Sequence, residues 1–75
     1  MVKPTTVTNQ IRALRFAHGE MTQAELGKQI GMTRQTVIAI EQGRYSPSLE
    51  TAFRIAQAFG VPLDDVFQYN QGETS

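Results

Sequence analysis

Three segments of this sequence each begin with a hydroxyl residue and end at a glycine, and these start and stop signals limit the chain to short helices. The segments are residues 22–31, 33–43 and 48–60. A serine or threonine oxygen accepts a hydrogen bond from a free amide at a helix start, and glycine adopts the left-handed conformation that ends a helix. Thr22 and Glu25 also have the spacing of a capping box. Each helix is therefore about two to three turns long.

Apolar residues recur at three- and four-residue intervals in these segments, which gives each helix one buried face. The same spacing predicts a first helix from a cap at Thr8 to Gly19, and a brief fifth helix over 63–67. No segment has a strand pattern, so we predict an all-α fold, a compact bundle of five helices. The inward stripes contain Ile11, Leu14, Leu26, Ile30, Val37, Ile40, Leu49, Ala52, Phe53, Ala56, Phe59 and Phe67.

A length of 75 residues is enough for one hydrophobic core. We predict one domain over residues 9–69, with a flexible amino-terminal arm at 1–8 and a flexible tail at 70–75. A domain of this size buries only about 60% of its unfolded surface. Because its stability is then marginal, a partner subunit would help, and we expect a homodimer.

The residue types present argue against several classes of protein. The chain has no cysteine and one histidine, so we expect neither disulfides nor a metal or cofactor. It lacks a signal-peptide pattern and an apolar run of about 20 residues, so we expect a cytoplasmic protein that does not cross a membrane. His18 has no partner at a catalytic spacing, and Asp64 and Asp65 point about 100° apart on a helix. We therefore expect no enzymatic activity.

The formal net charge is zero, but the charges are unevenly distributed. All seven basic residues precede Ile55, whereas Asp64, Asp65 and Glu73 follow it. Such a distribution lets one face meet phosphate while the acidic end points away, although a solvated surface would look the same.

The segment 33–43 combines a buried face with an outward face of base-reading chemistry. With Val37 and Ile40 inward, a helical rotation of about 100° per residue turns Gln35 and Ala39 outward and leaves Arg34 at the flank. Glutamine can pair with adenine, arginine with guanine, and an alanine methyl can contact the thymine methyl group. Together with 22–31, this segment has the spacing of two short helices joined by a glycine-containing turn.

These residues resemble the Xre/Cro family of phage-repressor-like helix-turn-helix regulators. The resemblance covers about residues 9–69 and rests on LR at 14–15, TQAEL at 22–26, TRQTV at 33–37 and IEQGRYSPSLE at 40–50. It implies a five-helix domain whose third helix reads double-stranded DNA, a homodimer, and control of transcription.

The resemblance also implies a role for individual residues. It implies base contacts from Arg34, Gln35, Thr36 and Ala39, and phosphate contacts from Gln23, Thr33, Gln42 and Arg44. A structural ion pair is implied between Arg15 and Glu41. No small-molecule effector is inferred.

Two features depart from the family pattern, and one other function stays open. The connection at 18–21 is one residue longer than usual and brings Glu20 near the expected DNA backbone, while Pro62 stands where a serine cap is common. The neutral net charge favours the alternative of a protein-interaction module with the same fold, either antitoxin-like or an adaptor.

Overall fold

Five helices make up most of residues 7–69, the part of the chain that the computed structural model describes. They are α1 (Ile11–Ala17), α2 (Gln23–Ile30), α3 (Arg34–Glu41), α4 (Leu49–Phe59) and α5 (Leu63–Val66). Two strands, β1 (Val7–Asn9) and β2 (Phe67–Tyr69), flank them in the sequence. The prediction of an all-α bundle of five helices is confirmed, and the sheet is a small addition.

The two strands pair antiparallel and join the two ends of the domain, with Asn9 opposite Phe67. The expectation that no strand forms was wrong, because three residues are too few to show an alternating pattern. Val7 and Thr8, placed in the arm by the sequence, belong to β1 instead. The rest of the predicted arm, 1–6, and the predicted tail, 70–75, lie outside the described residues.

Helix α1 begins two residues later than predicted, because its N-cap is Gln10 and not Thr8. Thr8 is paired in β1 and does not cap the helix. Asn9 partly replaces it as a cap, since the Asn9 Oδ1 accepts a hydrogen bond from the Ile11 amide at 3.1 Å. The Asn9 Nδ2 also donates to the Ile40 carbonyl at 3.1 Å. The start of α1 is thereby fastened to the end of α3.

The predicted caps of the next three helices are confirmed. The Thr22 hydroxyl accepts from the Glu25 amide, and the Glu25 carboxylate accepts from the Thr22 amide. Thr33 and Ser48 cap α3 and α4 in the same way, each accepting from an amide three residues on. Gly31 and Gly60 end α2 and α4 with φ of +75° and +68°.

All five helices contribute to the buried core. Its residues are Ile11, Leu26, Ile30, Val37, Ile40, Ile55, Ala56, Phe59 and Val66. Phe53 and Leu49, predicted as core, are instead 50% and 67% exposed. Phe53 lies about 120° around α4 from the buried Phe59, so the stripe read from the sequence was wider than the face that the neighbouring helices cover.

None of the helices in the described part of the chain is long and apolar enough to cross a membrane.

Candidate nucleic-acid interface

The angle between α2 and α3 depends on a close backbone approach at Gly27. The Gly27 carbonyl accepts a hydrogen bond from the Met32 amide at 2.8 Å. A Cβ atom at Gly27 would lie 2.6 Å from the Met32 carbonyl oxygen, which is closer than real Cβ contacts. The turn therefore folds directly against α2. Sequence reasoning missed Gly27, because a glycine within a helical pattern does not reveal which backbone it faces.

Helix α3 presents polar side chains to solvent from its first turn. Val37 and Ile40 are 1% and 2% exposed, which directs the opposite side of the helix outward. Of the four residues predicted to contact bases, Arg34 and Gln35 are exposed, while Thr36 and Ala39 are half-buried at the edges of this surface. The two longest side chains of the set are thus the ones that can reach furthest into a groove.

The four residues predicted to contact phosphates lie near the two ends of α3, and each already has a side-chain partner within the chain. Gln23 Nε2 donates to Glu41 Oε1 at 3.2 Å. The Thr33 hydroxyl lies 3.0 Å from the Thr36 hydroxyl in addition to its capping bond. Arg44 Nε donates to Gln42 Oε1 at 2.9 Å. An arginine has five N–H donors, so this bond orients Arg44 and leaves its guanidinium able to bind an anion.

The residues predicted as an ion pair, Arg15 and Glu41, are in contact across the domain. Nε and Nη2 of Arg15 donate to the two carboxylate oxygens of Glu41 at 2.7 and 3.2 Å. Arg15 Nη1 also donates to the Met21 carbonyl at 2.9 Å, and the side chains of the pair are 9% and 10% exposed. The pair links α1, the loop before α2 and the end of α3, and with Gln23 it holds the beginning of α2 against the same carboxylate.

A cleft opens beside this ion pair, between α1 and the first residues of α2 and α3. Arg12, Phe16, Glu20, Gln23 and Arg34 are among the residues that line it. Sequence reasoning assigned no role to Arg12 or Phe16. Their four-residue spacing on α1 places them on one side of the helix and was the available signal.

The aromatic ring of Phe16 is close to two guanidinium groups. The Cζ atom of Arg12 is 5.6 Å from the ring centroid, and that of Arg15 is 5.7 Å away. The ring is nevertheless 53% exposed. Within residues 7–69, neither Arg12 nor Arg34 forms an ion pair. This edge of the domain therefore carries two cations whose charge is not neutralised by a contact.

The geometry of the described residues offers binding groups rather than a metal centre. No group of three or more histidine, cysteine or carboxylate side chains in residues 7–69 has the arrangement to hold a metal ion. Amides, hydroxyls and guanidiniums instead lie around the exposed first turn of α3, and these are the groups that bind bases and phosphates.

Comparison with known proteins finds the same fold. The model of the helix-turn-helix family matches residues 11–66. The chain is 48% identical over 65 residues to an uncharacterised helix-turn-helix transcriptional regulator of Methanocaldococcus jannaschii, covering 87% of this chain and 97% of the relative. It is 36% identical over 59 residues to the cryptic phage CTXphi transcriptional repressor RstR of Vibrio cholerae, which covers 79% of this chain and 52% of that repressor.

A solved structure supports the same assignment of the fold. The crystal structure of a hypothetical transcription factor from Neisseria superposes with a TM-score of 0.68 at 33% identity, over 73% of this chain and 61% of the other. The chain therefore spans less than two thirds of the Neisseria protein and about half of the Vibrio repressor. A matching family model over most of the chain and a relative matched almost end to end give the same assignment: the chain belongs to the helix-turn-helix family of the Xre/Cro type.

Proposed function

We propose that this protein regulates transcription by binding double-stranded DNA sequence-specifically, with α3 in the major groove. The observation that carries the proposal is the division of α3 into a buried face, with Val37 and Ile40, and an exposed first turn with Arg34 and Gln35. A major groove about 12 Å wide admits one helix, whose exposed side chains then meet base edges. The names of the Methanocaldococcus and Vibrio relatives support transcriptional regulation as the outcome.

The proposed base contacts follow from side-chain chemistry. Gln35 offers a donor and an acceptor together, which matches the N6 and N7 atoms of adenine, and Arg34 matches O6 and N7 of guanine. Thr36 and Ala39 are short and half-buried, so their methyl groups suit contact with the thymine methyl.

The proposed phosphate contacts set the register of α3 in the groove. Gln23 and Thr33 lie at the starts of α2 and α3, where free amides favour an anion. Gln42 and Arg44 follow the end of α3, and the bond between them holds Arg44 for a phosphate on that side. Contacts at both ends of α3 would keep the helix from sliding along the groove.

We further propose that the protein acts in the cytoplasm as a homodimer and represses transcription, as the Vibrio relative does by name. A two-fold dimer that places its recognition helices in successive major grooves needs them about 34–36 Å apart. The DNA site would then be an inverted repeat with half-sites about one helical turn apart.

Selection from a random pool of duplexes at about 150 mM salt tests this proposal. Recovery of an inverted repeat with that spacing is the expected result. Gln35→Ala should then lose about 1–3 kcal/mol of binding free energy on the selected site and tolerate other bases at one position. An equal loss on all sequences would show that Gln35 does not read a base, and no enrichment from the pool would contradict DNA recognition.

A protein-interaction module of the antitoxin-like or adaptor type is the second candidate, favoured by the zero net charge. The dependence of binding affinity on salt concentration distinguishes the two functions. A protein that makes 6–10 phosphate contacts loses affinity by a factor of about 10³–10⁵ between 50 and 200 mM salt, because the release of counterions from the DNA is less favourable at higher salt. A hydrophobic contact with a polypeptide responds little over this range.

A further inference from the structure

We propose that Arg12, on α1 and outside the helix-turn-helix, binds one phosphate of the DNA backbone, and that Phe16 holds its guanidinium in position. This inference rests on the proposed DNA binding and adds a contact that neither the sequence pattern nor the family relationship assigned. It starts from the cleft beside the Arg15–Glu41 pair, which Arg12 shares with Gln23 and Arg34.

The position of Arg12 follows from its neighbours in the cleft. Gln23 and Arg34 are the first residues of α2 and α3. If the first turn of α3 enters the major groove, a backbone strand bordering that groove passes the mouth of the same cleft. Arg12 lines this cleft from α1 and not from α3, so we assign its guanidinium to the phosphates of that strand rather than to the bases.

Arg12 is also the cation of α1 that remains able to bind an anion. Arg15 already donates to both Glu41 oxygens and to the Met21 carbonyl. Arg12 has neither an ion pair nor a hydrogen bond from its side chain to any residue within 7–69, and it does not pair with Glu20 across the cleft. A guanidinium without a carboxylate partner can bind phosphate through two parallel N–H donors.

Phe16 explains why this guanidinium is held in place rather than moving freely. The ring is 53% exposed, which leaves a large apolar side chain half outside the core. Arg12 and Arg15 cover it, with Cζ atoms 5.6 and 5.7 Å from the centroid. A guanidinium over an aromatic face is attracted to the ring and keeps its N–H groups, at the edge of its plane, available to an anion.

The first test measures salt dependence on the selected duplex. Arg12→Ala should make the slope of log affinity against log salt less negative by about 1.8 on the selected inverted repeat, which is about 0.9 for the phosphate contact of each of the two chains, and weaken all sequences alike. The matched control is Arg54→Ala, which removes the same charge from α4, where Arg54 pairs with the exposed Glu50. Arg54→Ala should leave the slope unchanged. An unchanged slope in Arg12→Ala, with thermal unfolding like that of the wild type, overturns the inference.

A second test identifies the phosphate. Single phosphates of the duplex are replaced in turn by uncharged methylphosphonates, and affinity is measured for the wild type and for Arg12→Ala. We expect one position in each half-site at which the wild type is weakened and Arg12→Ala is not. If both proteins respond alike at every position, Arg12 contacts no phosphate. Arg44→Ala then separates failure of the Arg12 contact from failure of DNA binding itself. A reduced salt slope in Arg44→Ala would show that the protein still binds DNA through phosphates. If the wild type retains no duplex, both the DNA binding and the Arg12 contact are contradicted.

The positioning role of Phe16 needs its own variant. Phe16→Leu keeps an apolar side chain and removes the ring, and we expect a loss of about two- to fivefold in affinity, corresponding to an exposed cation–π contact. Arg12→Ala should then cost less in the Phe16→Leu background than in the wild type, because the guanidinium is no longer held. Strictly additive losses would show that the ring does not position Arg12.

Discussion

At the scale of single residues, Glu41 connects the end of α3 to both α1 and the start of α2. Its carboxylate accepts two hydrogen bonds from Arg15 and one from Gln23, with only 10% of the side chain exposed. Glu41→Ala would strand the buried Arg15 charge, which costs about 3–5 kcal/mol of folding free energy. In a domain this small, the lower value corresponds to a fall of about 12 °C or more in the melting temperature, measurable by circular dichroism.

The control for Glu41 is the second ion pair among the described residues. Glu50 pairs with Arg54 across one turn of α4 at 3.0 Å, with the two side chains 77% and 53% exposed. Because solvent screens such a pair, Glu50→Ala should change stability by no more than about 1 kcal/mol. Equal melting temperatures for Glu41→Ala and the wild type would mean that the buried pair does not stabilise the fold.

Glu20 occupies an unfavourable backbone conformation as well as an unfavourable place for an acid. Its φ is +58°, in the left-handed region that asparagine tolerates better than glutamate. Glu20 is among the residues that line the cleft of Arg12 and Arg34, where its negative charge would repel a DNA phosphate. Glu20→Asn should therefore raise the free energy of unfolding by about 0.5–1 kcal/mol and also strengthen duplex binding.

Glu20→Ala separates the two effects. Alanine removes the charge but keeps a Cβ at positive φ, so duplex affinity should rise while stability does not. Chemical denaturation and duplex titration on the same preparations measure both quantities. Binding that stays constant in both variants would show that Glu20 is too far from the DNA to matter.

At the scale of elements, the helix-turn-helix depends on Gly27. Alanine is a better helix former than glycine by about 1 kcal/mol, and an isolated α2 would gain from Gly27→Ala. In the folded domain the new Cβ would meet the Met32 carbonyl at 2.6 Å. The turn must then move, which we expect to cost about 1–3 kcal/mol of stability and to tilt α3, so that duplex affinity falls as well.

Gly43→Ala is the comparison that removes the packing effect. Gly43 has a φ of +76°, and no atom lies within 4 Å of the position that its Cβ would take, so alanine there adds conformational strain without a collision. It should lower stability by about 1 kcal/mol and leave α3 in place. If Gly27→Ala is as stable as the wild type, the approach of the turn to α2 is not tight.

The same elements show how far local sequence can be read. The caps of α2, α3 and α4 depend on hydrogen bonds over three residues, and local spacing predicted them. The start of α1 was predicted wrongly because it depends on Asn9 bonding to Ile40 and on β1 pairing with β2, both distant in sequence. The prediction of Phe53 as a core residue was wrong for a related reason. The apolar spacing of a helix does not show how much of its apolar face the neighbouring helices cover.

At the scale of the whole molecule, we expect two chains to bind each operator. A chain of 8.3 kDa presents one α3 and few cations, so a second copy doubles the contacts. Analytical ultracentrifugation should give about twice the chain mass in the complex with a selected inverted repeat. A duplex with a single half-site should bind much more weakly, because linked sites raise the effective concentration of the second copy. One chain per full site would contradict the dimer.

The sequence by itself determined α2, α3 and α4, because caps, glycine stops and apolar spacing act between residues a few positions apart. It also determined the chemistry of α3, since Arg34 and Gln35 need only a helix with Val37 and Ile40 turned inward. Only the tertiary structure decided which groups meet in the cleft. Arg12 and Phe16 lie far in sequence from Arg34, and no local pattern encodes that proximity. That proximity depends on contacts across the fold, among them the bond of Asn9 to Ile40 and the buried pair of Arg15 on α1 with Glu41 at the end of α3.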